Sequence, residues 1–153
     1  MDTLTTAFLT GVIFAIIALV VGSLVSEYLT QFVRDRRARK NLLQALRAEI
    51  EANIRLRARS QWHPLSTQVY DSSVIAGMQG LDSDLKTLLG TLYSSIIYRN
   101  QLLIHFLNPQ SSIASAIHRD EKKQIWEVIQ ELGPQIEMLS QQALARINKL
   151  LEH

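Results

Sequence analysis

Residues 11–40 read GVIFAIIALVVGSLVSEYLTQFVRDRRARK. The stretch carries no charge as far as Ser26 and then, within seven residues, the five cations Arg34, Arg36, Arg37, Arg39 and Lys40. From Ala7 to Ser26 twenty consecutive residues lack both charge and proline. At 1.5 Å rise per residue such a helix is about 30 Å long, the thickness of a hydrocarbon core. The stretch therefore predicts a transmembrane helix. A cleaved signal peptide would want cations ahead of a shorter apolar run, whereas Asp2 is the one charged side chain there. A buried core helix is the other alternative, but this run is longer than a domain of this size normally buries.

Orientation follows from the flanks. Basic residues that sit directly after a span hold that side in the cytoplasm. The sequence thus predicts a single pass through the inner (cytoplasmic) membrane, with a short N-terminus outside and the C-terminal part inside. Glu27, Tyr28 and Phe32 fall at the expected water-lipid boundary. So close to lipid, the five cations are expected to meet anionic headgroups rather than nucleic acid. Within the span Gly11, Ala15, Ala18, Gly22 and Ser26 are spaced four, three, four and four residues apart, on one helical stripe. Small side chains let two helix backbones approach closely, which is what favours association in lipid. The expected partner is another transmembrane helix, from a second copy or a different membrane subunit.

Away from this segment the chain changes character. Over the whole sequence, 47% of residues are hydrophobic and 20% charged, but the average hides strong segregation. Residues 34–59 hold nine Lys/Arg against Asp35, Glu49 and Glu51, whereas residues 60–153 are slightly acidic. There are no cysteines, which excludes disulfides, thiolate metal sites and cysteine nucleophiles. No proline or glycine occurs between Gly22 and His63, and Leu42, Leu43, Leu46, Ile50 and Ile54 recur at helical intervals. The spanning helix is therefore expected to continue as a basic stalk to Arg59.

The stretch "SQWHPLST" interrupts it, because Pro64 disfavours helix at His63, and Ser66 or Thr67 can cap a short helix over Thr67–Met78. "LDSD" opens the next helix with Asp82 or Ser83 as cap. That helix carries Leu85, Leu88, Leu89, Leu92, Ile96, Leu103 and Leu107 and stops at Asn108-Pro109. A last helix is expected from Ser111 or Ser112. Its apolar residues Ile125, Ile129, Leu132, Ile136, Leu139, Ala143, Ile147 and Leu150 keep one phase across Gly133-Pro134, which favours a bend over a break; two helices with Pro134 in a first turn is the alternative. The predicted fold is all-α. It comprises a transmembrane helix with its tail (1–33), a stalk helix (34–59), and an antiparallel helical bundle (60–153) packing on the stalk's end.

Chemistry-bearing patterns are sparse. The pair His118 and Glu121 shares a helix face, but a di-iron bundle needs two Glu-x-x-His motifs and further carboxylates. There is no glycine-rich phosphate loop and no Gly-x-Ser-x-Gly turn. No catalytic residue, metal site or cofactor is expected. Asn53 and Asn100 occupy positions on otherwise apolar faces, and a buried amide of this kind needs hydrogen-bond partners and can fix the register of packed helices. Trp62 and Trp126 read as core anchors or as partner contacts.

The segments "LLQALRAEIEANIRL", "PLSTQVY" and "LGTLYSSIIYRNQLL" together resemble a loosely defined set of small single-span prokaryotic proteins. In that set a basic flank precedes a Leu-Arg-x-Glu-Ile-x-x-Asn helix, and a later helix reads Leu-Tyr-x-x-Ile-x-x-x-Asn. The resemblance covers Arg34 to about Leu103, implies a bacterial or archaeal membrane-anchored helical module with Asn53 and Asn100 at recurring amides, and implies no reaction. Taken together, the sequence predicts a membrane-anchored interaction or scaffold protein, as an oligomer or a small accessory subunit of a membrane complex. A ligand-sensing or pore-forming effector, with Glu27 at the inner boundary, is the alternative.

Overall fold

The computed structural model describes residues 3–78, 80–107 and 117–152, with side chains for all of these except 3–17 and 117–119. Four helices account for nearly all of them: α1 (Thr3–Arg59), α2 (Gln68–Ile75), α3 (Ser83–Leu107) and α4 (Ile117–Leu151). Among the described residues there is no strand. The expected caps Ser111 and Ser112, and the stop at Asn108-Pro109, lie outside the described residues.

Two compact units divide the chain, residues 1–38 and 39–153. In the first, α1 is the sole described element, and every described side chain from Ala18 to Ala38 is exposed. Among the described residues no helix is long and apolar enough to cross a membrane. Ala7 to Ile17, over half of the apolar run, lie outside the residues with described side chains, as do Gly11 and Ala15 of the small-residue stripe.

In the second unit, the apolar positions of α1, α3 and α4 converge on one core. Leu43, Leu46 and Ile50 of α1 meet Leu85, Leu89, Leu92 and Ile96 of α3, with Ile136, Leu139, Ala143 and Ile147 of α4. Full burial of each large aliphatic side chain is worth about 1.5–3 kcal/mol, and this is what orders a segment of marginal intrinsic helicity. Side-chain contacts set the directions. Arg146 near the end of α4 faces Asp82 and Asp84 at the start of α3, while His105 near the end of α3 faces Glu121 at the start of α4. These two helices are therefore antiparallel.

The end of α1, by contrast, runs parallel to α3, not antiparallel as a plain up-down bundle would have it. Residues 60–82 provide the return path: Ser66 bonds Asn53, Val69 and Tyr70 bond Glu49, and Gly80 approaches Arg39. The chain thus climbs back along α1 before α3 begins.

Local chemistry fixes the element ends. Asp82 accepts the Leu85 N–H at 2.8 Å and caps α3. At the end of α2, Gly77 takes φ +72° while its N–H reaches Val74 and the Met78 N–H reaches Ser73, the paired bonds of a Schellman cap. Pro134 lies inside α4, which continues through it. Proline supplies no N–H to the preceding turn, yet Ile129 and Ile136 are buried on either side of it, so the stripe keeps its phase. A single helix running through Gly133-Pro134, rather than two helices, is what forms.

Candidate functional site

The polar residues of the core gather on one segment, the "QWHPLS" run at residues 61–66. Asn53, on α1 four residues before Arg57, is buried and pairs with Ser66 twice: its Oδ1 accepts the Ser66 N–H at 2.7 Å and its Nδ2 donates to the Ser66 carbonyl at 2.8 Å. Asn100, half-buried on α3, treats Leu65 the same way, accepting at 2.9 Å and donating at 2.8 Å. A primary amide presents one donor and one acceptor side by side and so completes both backbone groups of one residue, as a neighbouring strand would. The two amides therefore join helix to loop, not helix to helix.

Glu49 adds a third hold. Its side chain accepts the Ser66 hydroxyl at 2.7 Å, the Val69 N–H at 2.9 Å, the Tyr70 N–H at 3.2 Å and the Tyr93 hydroxyl at 2.7 Å. Val69 and Tyr70 are the second and third residues of α2. Glu49 thus does from α1 what a capping side chain does from the chain itself. The expected cap at Thr67 does not form: its hydroxyl turns to Asp71 at 2.7 Å, and Ser66 reaches the Gln68 N–H only at 3.4 Å. A carboxylate with two oxygens satisfies more of the first turn than one hydroxyl can, and a negative charge there complements the helix dipole.

Arg99 completes the arrangement. It is 2% exposed, and its Nη1 and Nη2 donate to the carbonyls of His63 at 3.1 Å and Gln61 at 2.6 Å. Among the described residues no carboxylate lies within salt-bridge distance of it. Burial first, and then the charge of Arg57, push its guanidinium below its ordinary range. Burial, followed by the Glu49 hydrogen bond, pushes Tyr93 above its ordinary range, and Tyr70 stacks on it with ring centroids 4.1 Å apart.

The far end of the loop is closed by aromatics. Trp62 stacks on Trp126 at 4.6 Å and 9°, with Phe106 against both. Trp62 keeps 46% of its surface. Ser60 Oγ and His63 Nδ1 lie 2.8 Å apart, but the same hydroxyl also accepts the Trp62 N–H, and among the described residues no carboxylate orients the imidazole. That geometry is a local turn bond, not the relay a nucleophile needs.

The remaining sequence candidates make none of the contacts of this cluster. Ala18, Gly22 and Ser26 are exposed on α1, with open space around Gly22. Arg34, Arg36, Arg37 and Lys40 are exposed, whereas Arg39 is half-buried with its aliphatic chain beside Gly80. The His118 side chain lies outside the described ones; Glu121 stands 3.6 Å from His105. Among the described residues no group of three or more His, Cys, Asp or Glu is placed to hold a metal.

Glu49 and Arg99 are the polar groups that the reading of candidate residues did not single out. Both lie on the apolar stripes: Glu49 follows Leu46 by three, and Arg99 falls between Ile96 and Leu103 in a strict four-three rhythm from Leu85. A charge in phase with a core stripe was the available signal. Glu49, Asn53, Tyr93 and Asn100 are also members of the two helix patterns quoted above, and Leu65 and Ser66 of "PLS" are what Glu49 and the two amides grip. Comparison with known proteins finds no family model, no curated protein and no solved structure that matches the chain.

Proposed function

We propose that this chain is a membrane-tethered helical interaction module, an oligomer or a small accessory subunit of a membrane complex. Its apolar N-terminal helix lies in the inner (cytoplasmic) membrane, and the second unit faces the cytoplasm. The observation that carries the reading is the first unit's helix. Leu19, Val20, Val21, Leu24, Val25, Leu29, Phe32 and Val33 are all exposed, and together they surround the helix instead of forming one stripe. A helix apolar on all sides is stable only when something apolar covers it. Lipid does so on every side at once, and the cations from Arg34 onward then meet anionic headgroups. Gly11, Ala15, Ala18, Gly22 and Ser26 form the seam for a second transmembrane helix.

The second unit supports a binding role over a catalytic one, since the buried Glu49, Asn53 and Arg99 are spent on holding residues 61–70. Photo-cross-linking from positions 18 and 22 in native membranes tests the proposal. A defined dimer or a single heterologous membrane partner is expected. A chain that remains monomeric and partnerless under those conditions contradicts it.

A further inference from the structure

A cavity of about 270 Å³ opens between the end of α1, the 61–66 loop and α4. At about 30 Å³ per water in the liquid it has room for a compact molecule of roughly ten heavy atoms. Asn53, Arg57, Gln61, Leu65, Glu137 and Ser140 are among its lining residues. Ile54 and Ile136 add apolar wall.

The charge around this cavity does not balance. Arg57 donates Nη1 to the Gly133 carbonyl and Nη2 to Glu137, the latter at 2.8 Å. A guanidinium has five N–H groups, so three of its donors are left by these two bonds. Behind the wall lies Arg99, whose Nη2 donates at 2.6 Å to the carbonyl of Gln61, itself a lining residue. Glu137 is half-exposed and, among the described residues, is the one carboxylate lining the cavity. Arg57 alone faces this solvent-screened carboxylate, while Arg99, held behind Gln61, adds a second positive charge near enough to feel that of Arg57. A buried charge without a counterion costs several kcal/mol, and an anion in the adjacent cavity offsets that cost.

We propose that the cavity binds a small oxyanion, a carboxylate or phosphate group on a compact organic molecule, with Arg57 as its principal ligand. Ser140 and Asn53 line the side next to α4 and α1, and the isoleucines receive the molecule's carbon skeleton. The site goes beyond the tethering role and does not depend on it, because every residue involved belongs to the second unit.

Isothermal titration of the full chain in non-ionic detergent, at constant ionic strength with chloride, would use inorganic phosphate in one arm and succinate in the other. Saturable binding of at least one is expected, and which one binds assigns the group. Arg57→Gln should weaken it by about tenfold or more. Because that change also removes the bonds to Gly133 and Glu137, a second variant acts in the opposite direction. Glu137→Gln removes the competing negative charge from a half-exposed position and should tighten binding about threefold or more. Absence of binding by either anion at 10 mM, on the order of the weakest useful affinity, overturns the proposal. So does binding that neither variant alters, which would place the anion on the cations at 34–40.

Discussion

Glu49 is a single side chain on which the order of a whole segment depends. Glu49→Ala leaves the N–H groups of Val69 and Tyr70 and the buried hydroxyl of Tyr93 without their acceptor. Unsatisfied buried donors cost about 1–3 kcal/mol each, with partial rescue by water. A loss of about 2–4 kcal/mol in unfolding free energy is expected, read by denaturant titration of Trp62 and Trp126 fluorescence. Tyr93 adds a pH dependence whose sign is fixed. Its folded-state pKa lies above the ordinary 10.0, so the folded chain keeps a proton that the unfolded chain releases. Stability is therefore intact below about pH 10 and falls as pH rises beyond it. Tyr93→Phe should flatten that decline when denaturation midpoints at about pH 8 and about pH 11 are compared; an unchanged slope would contradict the assignment. Asn53 and Asn100 were legible in the sequence as amides on apolar faces. Their partners were not, because backbone N–H and C=O groups belong to every residue and leave no signature in residue type.

Helices depend on simpler rules, and these were largely legible. The apolar stripes of α1, α3 and α4 and the Asp82 cap follow from three- and four-residue spacing and local capping chemistry. Continuity through Pro134 follows from stripe phase alone. The start of α2 was legible to within a residue; what escaped was the source of its cap bonds, which come from Glu49, nearly twenty residues earlier in the chain. Glycines test the element scale with opposite signs. At Gly77, φ +72° is a conformation that L side chains resist, so Gly77→Ala should destabilise by about 1–2 kcal/mol. At Gly90, within α3, a Cβ meets only the Tyr70 hydroxyl at 3.8 Å, an ordinary contact. Gly90→Ala should therefore stabilise by about 0.5–1 kcal/mol through helix propensity. Thermal unfolding of the two variants beside the parent checks both, and equal effects would refute the backbone assignments.

At the scale of the molecule, direction of the helices was the part that residue spacing could not supply. A helix pattern is the same read up or down, and only the grip on residues 61–70 reveals that this segment returns alongside α1 so that α3 runs parallel to it. Charge asymmetry, by contrast, predicts orientation in the membrane. Neutralising Arg34, Arg36, Arg37, Arg39 and Lys40 together should scramble orientation in a reporter-fusion assay, and an unchanged orientation would assign those cations another role. Arg39 also packs by Gly80, so a variant retaining it separates topology from folding. Beneath these predictions lies the claim that the apolar helix is embedded in lipid. Alkaline carbonate extraction of membranes from cells expressing the full chain tests it most directly: the protein should stay in the membrane pellet, and quantitative release of the intact chain into the supernatant would contradict the account.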